Sequence, residues 1–210
     1  MNNGKKCAII GAMQIPLHFK EKLQECNYII CADGGASNAK LLGLHINLAV
    51  GDWDSTNLKD VVADEIITLP KEKNDTDMHF AAHCAVKMGF KEVQILGGIG
   101  GRIDHTFANI NTLRFLADEG VYAYMENDES FFTVLKNSTM QIKKRANTYL
   151  SIFPLDEKCE GVTLTGLKYP LTNAVLKGNF PVGVSNEFSD EVATISIKKG
   201  TVLIMIVKKD

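Results

Sequence analysis

EVQILGGIGGRIDHTFANINTLRFLADEGVYAYM, residues 92–125, holds a complete strand, loop, helix and strand. The apolar run 92–96 ends in glycines, and Phe107, Ile110, Leu113 and Leu116 then recur at three-residue steps, which predicts the packed face of a helix. The run 121–125 predicts the next strand. Two strands joined through a helix lie parallel, because only a crossover of that length returns the chain to the same end of a sheet. The same alternation extends toward the N-terminus, with strand candidates at 7–10, 28–32, 48–50 and 65–69. Before 92–96 a helix carries Met78, Ala81, Ala82, Ala85 and Met88 on one face. Residues 1–126 therefore read as an α/β sandwich domain with a mostly parallel sheet. After Asn127 the helical period stops. The runs 131–135, 149–153, 162–164, 194–197 and 202–207 are separated by Gly, Pro, Asn and Asp, and predict a smaller all-β sandwich over 127–210.

Composition narrows the function classes. Of 210 residues, 45% are hydrophobic and 23% charged, which suits a folded globular chain. A formal net charge of −2 gives no basic field for a nucleic-acid backbone, and Lys143-Lys144-Arg145 reads as a solvated turn. Five cysteines without a Cys-x-x-Cys pair fit neither a disulfide framework nor a zinc site. Among the histidines, only His79 and His83 have the spacing of a helical ligand pair, and a helix surface accounts for them more simply. The apolar run 7–12 is too short for a signal peptide, and no stretch reaches membrane-spanning length. The expectation is a cytoplasmic protein that binds neither nucleic acid nor membrane.

Four polar clusters fall where strands should end, which is where open α/β sheets collect ligands. Asp33-Gly34-Gly35 precedes a helix and would let backbone amides approach a phosphate, although a turn with a helix cap explains it equally well. Asp52 and Asp54, two residues apart, project to one side if the backbone stays extended. Asn74-Asp75-Thr76-Asp77 opens the Met78 helix, where capping or a dipole partner explains part of it. The run 97–105 places four glycines in five residues before Arg102, Asp104 and His105, and matches neither a dinucleotide fingerprint nor a Walker loop. Arg102 offers a planar fork for phosphate oxygens, while Asp104 also reads as a cap and His105 as a helix-start residue. Carboxylates about 5 Å apart repel by about 3 kcal/mol at an effective dielectric near 20, so their convergence implies a metal, a proton or cationic partners. Magnesium suits hard oxygen ligands shared with substrate phosphates.

Asp-Gly-Gly at 33–35, Gly-Asp-x-Asp-Ser at 51–55, Asp-Thr-Asp at 75–77 and Gly-Gly-x-Gly-Gly-Arg-x-Asp-His at 97–105 stand in the order of a known family. With Gly166-Leu167-Lys168-Tyr169-Pro170-Leu171 and Ser185-Asn186-Glu187, the chain resembles the thiamine pyrophosphokinases along nearly its whole length. The resemblance implies an α/β nucleotide-binding catalytic domain, a thiamine-binding β-sandwich, and a homodimer with active sites between subunits. It also implies the transfer of pyrophosphate from ATP to the hydroxyl of thiamine, giving thiamine diphosphate and AMP. Carried over by motif, Asp52, Asp54 and Asp77 hold magnesium, and Asp77, Asp104 and Arg102 serve catalysis. Asp33, Gly34, Gly35 and Thr76 position ATP or the metal, and Ser185 and Asn186 fall at the thiamine pocket. Met78-His79-Phe80-Ala81 stands where some members carry a lysine, which leaves Lys73 and Arg102 as the cations for the phosphates. Trp53, Tyr169 and Phe188 are the candidates to stack on the substrate. Two other readings need the same residues: a magnesium-dependent nucleotide phosphohydrolase, and a non-catalytic nucleotide-sensing module. Four converging carboxylates count against the second.

Overall fold

The computed structural model describes residues 4–54, 58–70, 72 and 74–209. Two compact units meet in sequence after Asn127, Met1–Asn127 and Asp128–Asp210. The first contains β1 (Lys6–Ile10), α1 (Phe19–Gln24), β2 (Tyr28–Ala32), α2 (Gly35–Leu42), β3 (Leu48–Gly51) and β4 (Glu65–Thr68). α3 (Asp77–Lys87), β5 (Glu92–Leu96), α4 (Ile103–Asp118) and β6 (Tyr122–Glu126) complete it. These six strands run in the order β4-β3-β2-β1-β5-β6, and every pairing among them is parallel.

The order reverses at β1. The chain first builds outward through β2, β3 and β4, and then returns to place β5 on the other side of β1. Connections leaving in opposite directions from β1 and β5 open a crevice at the carboxyl ends of those two strands. Strand alternation supplies the core around it. Ala8, Ile10, Cys31 and Ala49 belong to one buried cluster with Leu23 of α1 and Ala39 and Leu42 of α2. In α3, Met78, Ala81, Ala82 and Ala85 are buried as the helical spacing requires.

The helix α4 differs from expectation at one residue. Ile110, Leu113 and Leu116 are buried, but Phe107 is 65% exposed. Each three-residue step falls about 60° short of a full turn, so over nine residues the row drifts to the opposite side of the helix. His79 and His83 lie against Phe115 of α4, with ring centroids 4.8 and 4.2 Å away, so they form a packed helix surface. All five cysteines are free thiols, and burial pushes the Cys31 thiol up to about 12.

The second unit is entirely β. β7 (Ser130–Lys136) and β9 (Thr148–Pro154) flank β13 (Thr201–Lys208) in antiparallel register. The other sheet orders β11 (Leu171–Lys177), β10 (Lys158–Thr165), β12 (Val192–Ser196) and β8 (Thr139–Lys143), again antiparallel. Inward residues of both sheets, among them Val162, Leu164, Ile195, Val202 and Ile204, are almost fully buried. The register of β10 against β11 shifts at Glu160/Val162 and Val162/Leu164, so only the middle of this long strand stands out as an apolar run.

Candidate active site

At the reversal point, the chain leaves β1 through Gly11 and β5 through Gly97. The two exits are bonded together: the Gly11 N–H donates to the Leu96 carbonyl at 2.7 Å, and the Met13 N–H to the Gly97 carbonyl at 3.0 Å. Glycine is required at Gly97, whose φ is +72° and where a Cβ would lie 2.5 Å from the Gly11 oxygen. Gly35 is needed for closeness: a Cβ there would sit 1.9 Å from the Ile10 oxygen, so α2 could not start against the end of β1. Above these loops is a cavity of about 540 Å³, reached by Met13, Asp33, Asp52, Asp77 and Arg102.

The acidic residues converge by a turn. Asp33 and Trp53 both take left-handed φ values, +42° and +60°. The Asp54 N–H reaches Asp52 Oδ1 at 3.3 Å, so the chain folds over at Trp53 instead of continuing extended. One carboxylate oxygen from each of Asp33, Asp52 and Asp54 then lies within 4.8 Å of the other two. The trio offers only hard oxygen donors, with no thiolate or imidazole, which is the donor set of a magnesium-type cation. Mutual repulsion of about 3 kcal/mol per pair is relieved by such an ion. Asp77 lies outside that trio but borders the same cavity as the first residue of α3. Thr76, which also lines the cavity, caps the helix by accepting the His79 N–H at 3.2 Å.

Arg102 precedes α4 with extended backbone and no capping side-chain bond. Its Nε and a terminal nitrogen donate to the two oxygens of Asp104 at 3.1 and 2.5 Å. That fork holds the Asp104 carboxyl below the usual carboxylate range. Arg102 and His105 line the cavity. Lys73 and Ser55 lie outside the described residues.

In the second unit, Ser185 has a φ of +57° and its N–H donates to Ser151 Oγ at 3.0 Å. Asn186, 5% exposed, clamps Tyr169 on both sides. Its Oδ1 accepts the Tyr169 N–H at 2.9 Å, and its Nδ2 donates to the Tyr169 carbonyl at 2.8 Å. Glu187 beside it accepts from Lys168 and Lys209 at 2.9 and 2.5 Å. Of the three aromatic candidates, Trp53 packs partly on the first unit's core and donates to Thr68 Oγ1 at 3.1 Å, while Tyr169 is exposed.

Gly11-Ala12-Met13 was absent from the expected site, although Gly11 directly follows the strand candidate 7–10. Position after β1 is what brings it there, and only the strand order reveals that β1 is the reversal point.

Family models for the thiamin pyrophosphokinase catalytic domain and its vitamin B1 binding domain match residues 19–125 and 137–202. A thiamine pyrophosphokinase of Bacillus subtilis (strain 168) is 30% identical over 168 residues, 77% of this chain and 78% of that relative. The chain belongs to the thiamine pyrophosphokinase family. A crystal structure of thiamine pyrophosphokinase from Bacillus subtilis superposes with a TM-score of 0.86 at 27% identity, covering 98% of this chain and all of that one (100%). Thiamin pyrophosphokinase from Candida albicans shares the fold, with a TM-score of 0.83 at 18% identity over 98% of this chain and 90% of that one.

Proposed function

We propose that this chain is a magnesium-dependent thiamine diphosphokinase. It moves pyrophosphate from ATP to the hydroxyl of thiamine, producing thiamine diphosphate and AMP. The observation that carries this reading is the meeting of Asp33, Asp52 and Asp54 beside a glycine-walled cavity in a chain of this family. A phosphohydrolase would need the same carboxylates but no acceptor, and no feature of the chain favours it.

Asp33, Asp52 and Asp54 would hold magnesium, with Asp77 facing the same space. Bound there, the ion neutralises phosphate charge and makes the β-phosphorus more electrophilic. Arg102 supplies a second cation at the cavity wall, with Lys73 as the further candidate. Thr76, Gly34 and Gly35 position the nucleotide. Asp104 is engaged by Arg102 and made a weaker base, so Asp77 is the carboxylate to receive the hydroxyl proton. Ser185 and the loop carrying Tyr169, held by Asn186, belong to the thiamine pocket, in a homodimer whose active sites lie between subunits. ATP and thiamine are the small-molecule partners, and the enzyme works in the cytoplasm without nucleic acid or membrane. Residues 1–126 carry nucleotide binding and catalysis, and 127–210 carry thiamine binding.

The test is AMP release from ATP with magnesium, with and without thiamine. Release that requires thiamine supports the assignment. Release at equal rate without it indicates a phosphohydrolase, and removal of magnesium by a chelator should stop turnover in either case.

A further inference from the structure

We infer that Asn38 of α2 and Asn109 of α4 are positioning residues that turn the cavity floor into a donor surface for the ATP polyphosphate, an inference that rests on the activity proposed above. Neither residue belongs to the acidic cluster. Both are buried, 6% and 8% exposed. Asn38 Nδ2 donates to the Gly11 carbonyl and to the Met13 carbonyl, each at 2.8 Å. Asn109 Nδ2 donates to the Gly98 carbonyl at 2.8 Å.

Counted with the bonds between the two loops, five floor carbonyls are engaged by protein donors. Leu96 and Gly97 accept from Gly11 and Met13, and Gly11, Met13 and Gly98 accept from the two asparagines. Of the amides of the same loops, those of Gly11, Met13 and Gly100 are engaged, the last by Thr106 Oγ1 at 3.2 Å. Among the described residues, the N–H groups of Ala12, Gly98 and Gly101 make no hydrogen bond, and all three residues line the cavity. A floor on which these five carbonyls are taken and three amides remain available is suited to an anion, because carbonyl lone pairs next to phosphate oxygens repel them.

Asparagine suits the double contact at Asn38. One nitrogen carries two hydrogens, so it can bridge carbonyls two residues apart, which neither aspartate nor an aliphatic side chain can do. Asn38→Leu would keep the branched four-atom skeleton, remove both donors and leave the Gly11 and Met13 carbonyls without them.

The experiment measures ATP affinity by calorimetry, steady-state constants and melting temperature for the wild type and Asn38→Leu. The expected result is ATP binding weakened about tenfold or more, with the KM for ATP raised in step and the KM for thiamine within about twofold. A purely structural role would lower the melting temperature without changing the ATP affinity of the folded protein. If Asn38→Leu does not fold, Asn38→Ser, which retains one donor of two, and Asn109→Ala, which removes the donor to the Gly98 carbonyl, should each weaken ATP binding several-fold. Unchanged ATP affinity in the folded variants overturns the inference while leaving the activity assignment intact. A wild type that binds ATP but makes no thiamine diphosphate defeats the activity instead, and a wild type that binds no ATP defeats both.

Discussion

At the scale of single residues, the central chemistry is repulsion put to use. Asp54 is exposed, and its carboxylate joins those of Asp33 and Asp52 within 4.8 Å. Asp54→Asn removes one of three mutually repelling charges, so without magnesium its melting temperature should equal or exceed that of the wild type. Turnover should fall about a hundredfold, and the rise in melting temperature on adding magnesium should shrink. Full turnover with an unchanged magnesium response would remove Asp54 from the site. The placement of Asp52 and Asp54 after an apolar run and of Asp77 at a helix start was legible in the sequence. Asp33 as a member of the carboxylate trio was not legible, since that grouping depends on the left-handed backbone at Asp33 and Trp53. Trp53 is not glycine, so no residue type announces the turn.

Elements were readable where one periodicity dominates. Five of the six parallel strands and α3 bury continuous apolar runs or a clean helical stripe, and their existence follows from the sequence pattern, whereas β4, at one end of the sheet order, is mostly exposed. Phe107 shows how a step of three imitates a stripe of 3.6 for one turn and then departs from it. β8 and β11 offered no such run: Thr139–Lys143 and Leu171–Lys177 are mostly exposed, and their pairing with β12 and β10 supplies the order. The segment that carries Glu187 has its own pH signature. Lys209 and then Lys168 hold the Glu187 carboxyl down to about 2 from an ordinary value of 4.5. A depressed folded-state value contributes stability above the unfolded value, and that contribution is lost as pH falls through the window from 4.5 to about 2. Denaturant midpoints measured across that window should drop for the wild type and drop less for Glu187→Gln. Parallel curves for the two proteins would mean that the two lysines do not stabilise the carboxylate.

For the whole molecule, the decisive feature is the strand order β4-β3-β2-β1-β5-β6, whose reversal at β1 sets the loop after β1 against the loop after β5. The sequence indicated a parallel α/β unit followed by a β unit, but several strand orders satisfy the same pattern of elements, and only those with β1 beside β5 bring Gly11 and Gly97 together. In that order, the carboxylates after β2 and β3, the start of α3 and the loop before α4 all reach one cavity. The proposed reaction moves two phosphates as a unit to a second substrate. The direct test supplies ATP labelled at the β-phosphate, with magnesium and thiamine, and follows the label. The label should appear in thiamine diphosphate, mole for mole with AMP, and only when thiamine is present. Label recovered as ADP or free pyrophosphate, with none in thiamine diphosphate, would contradict the account.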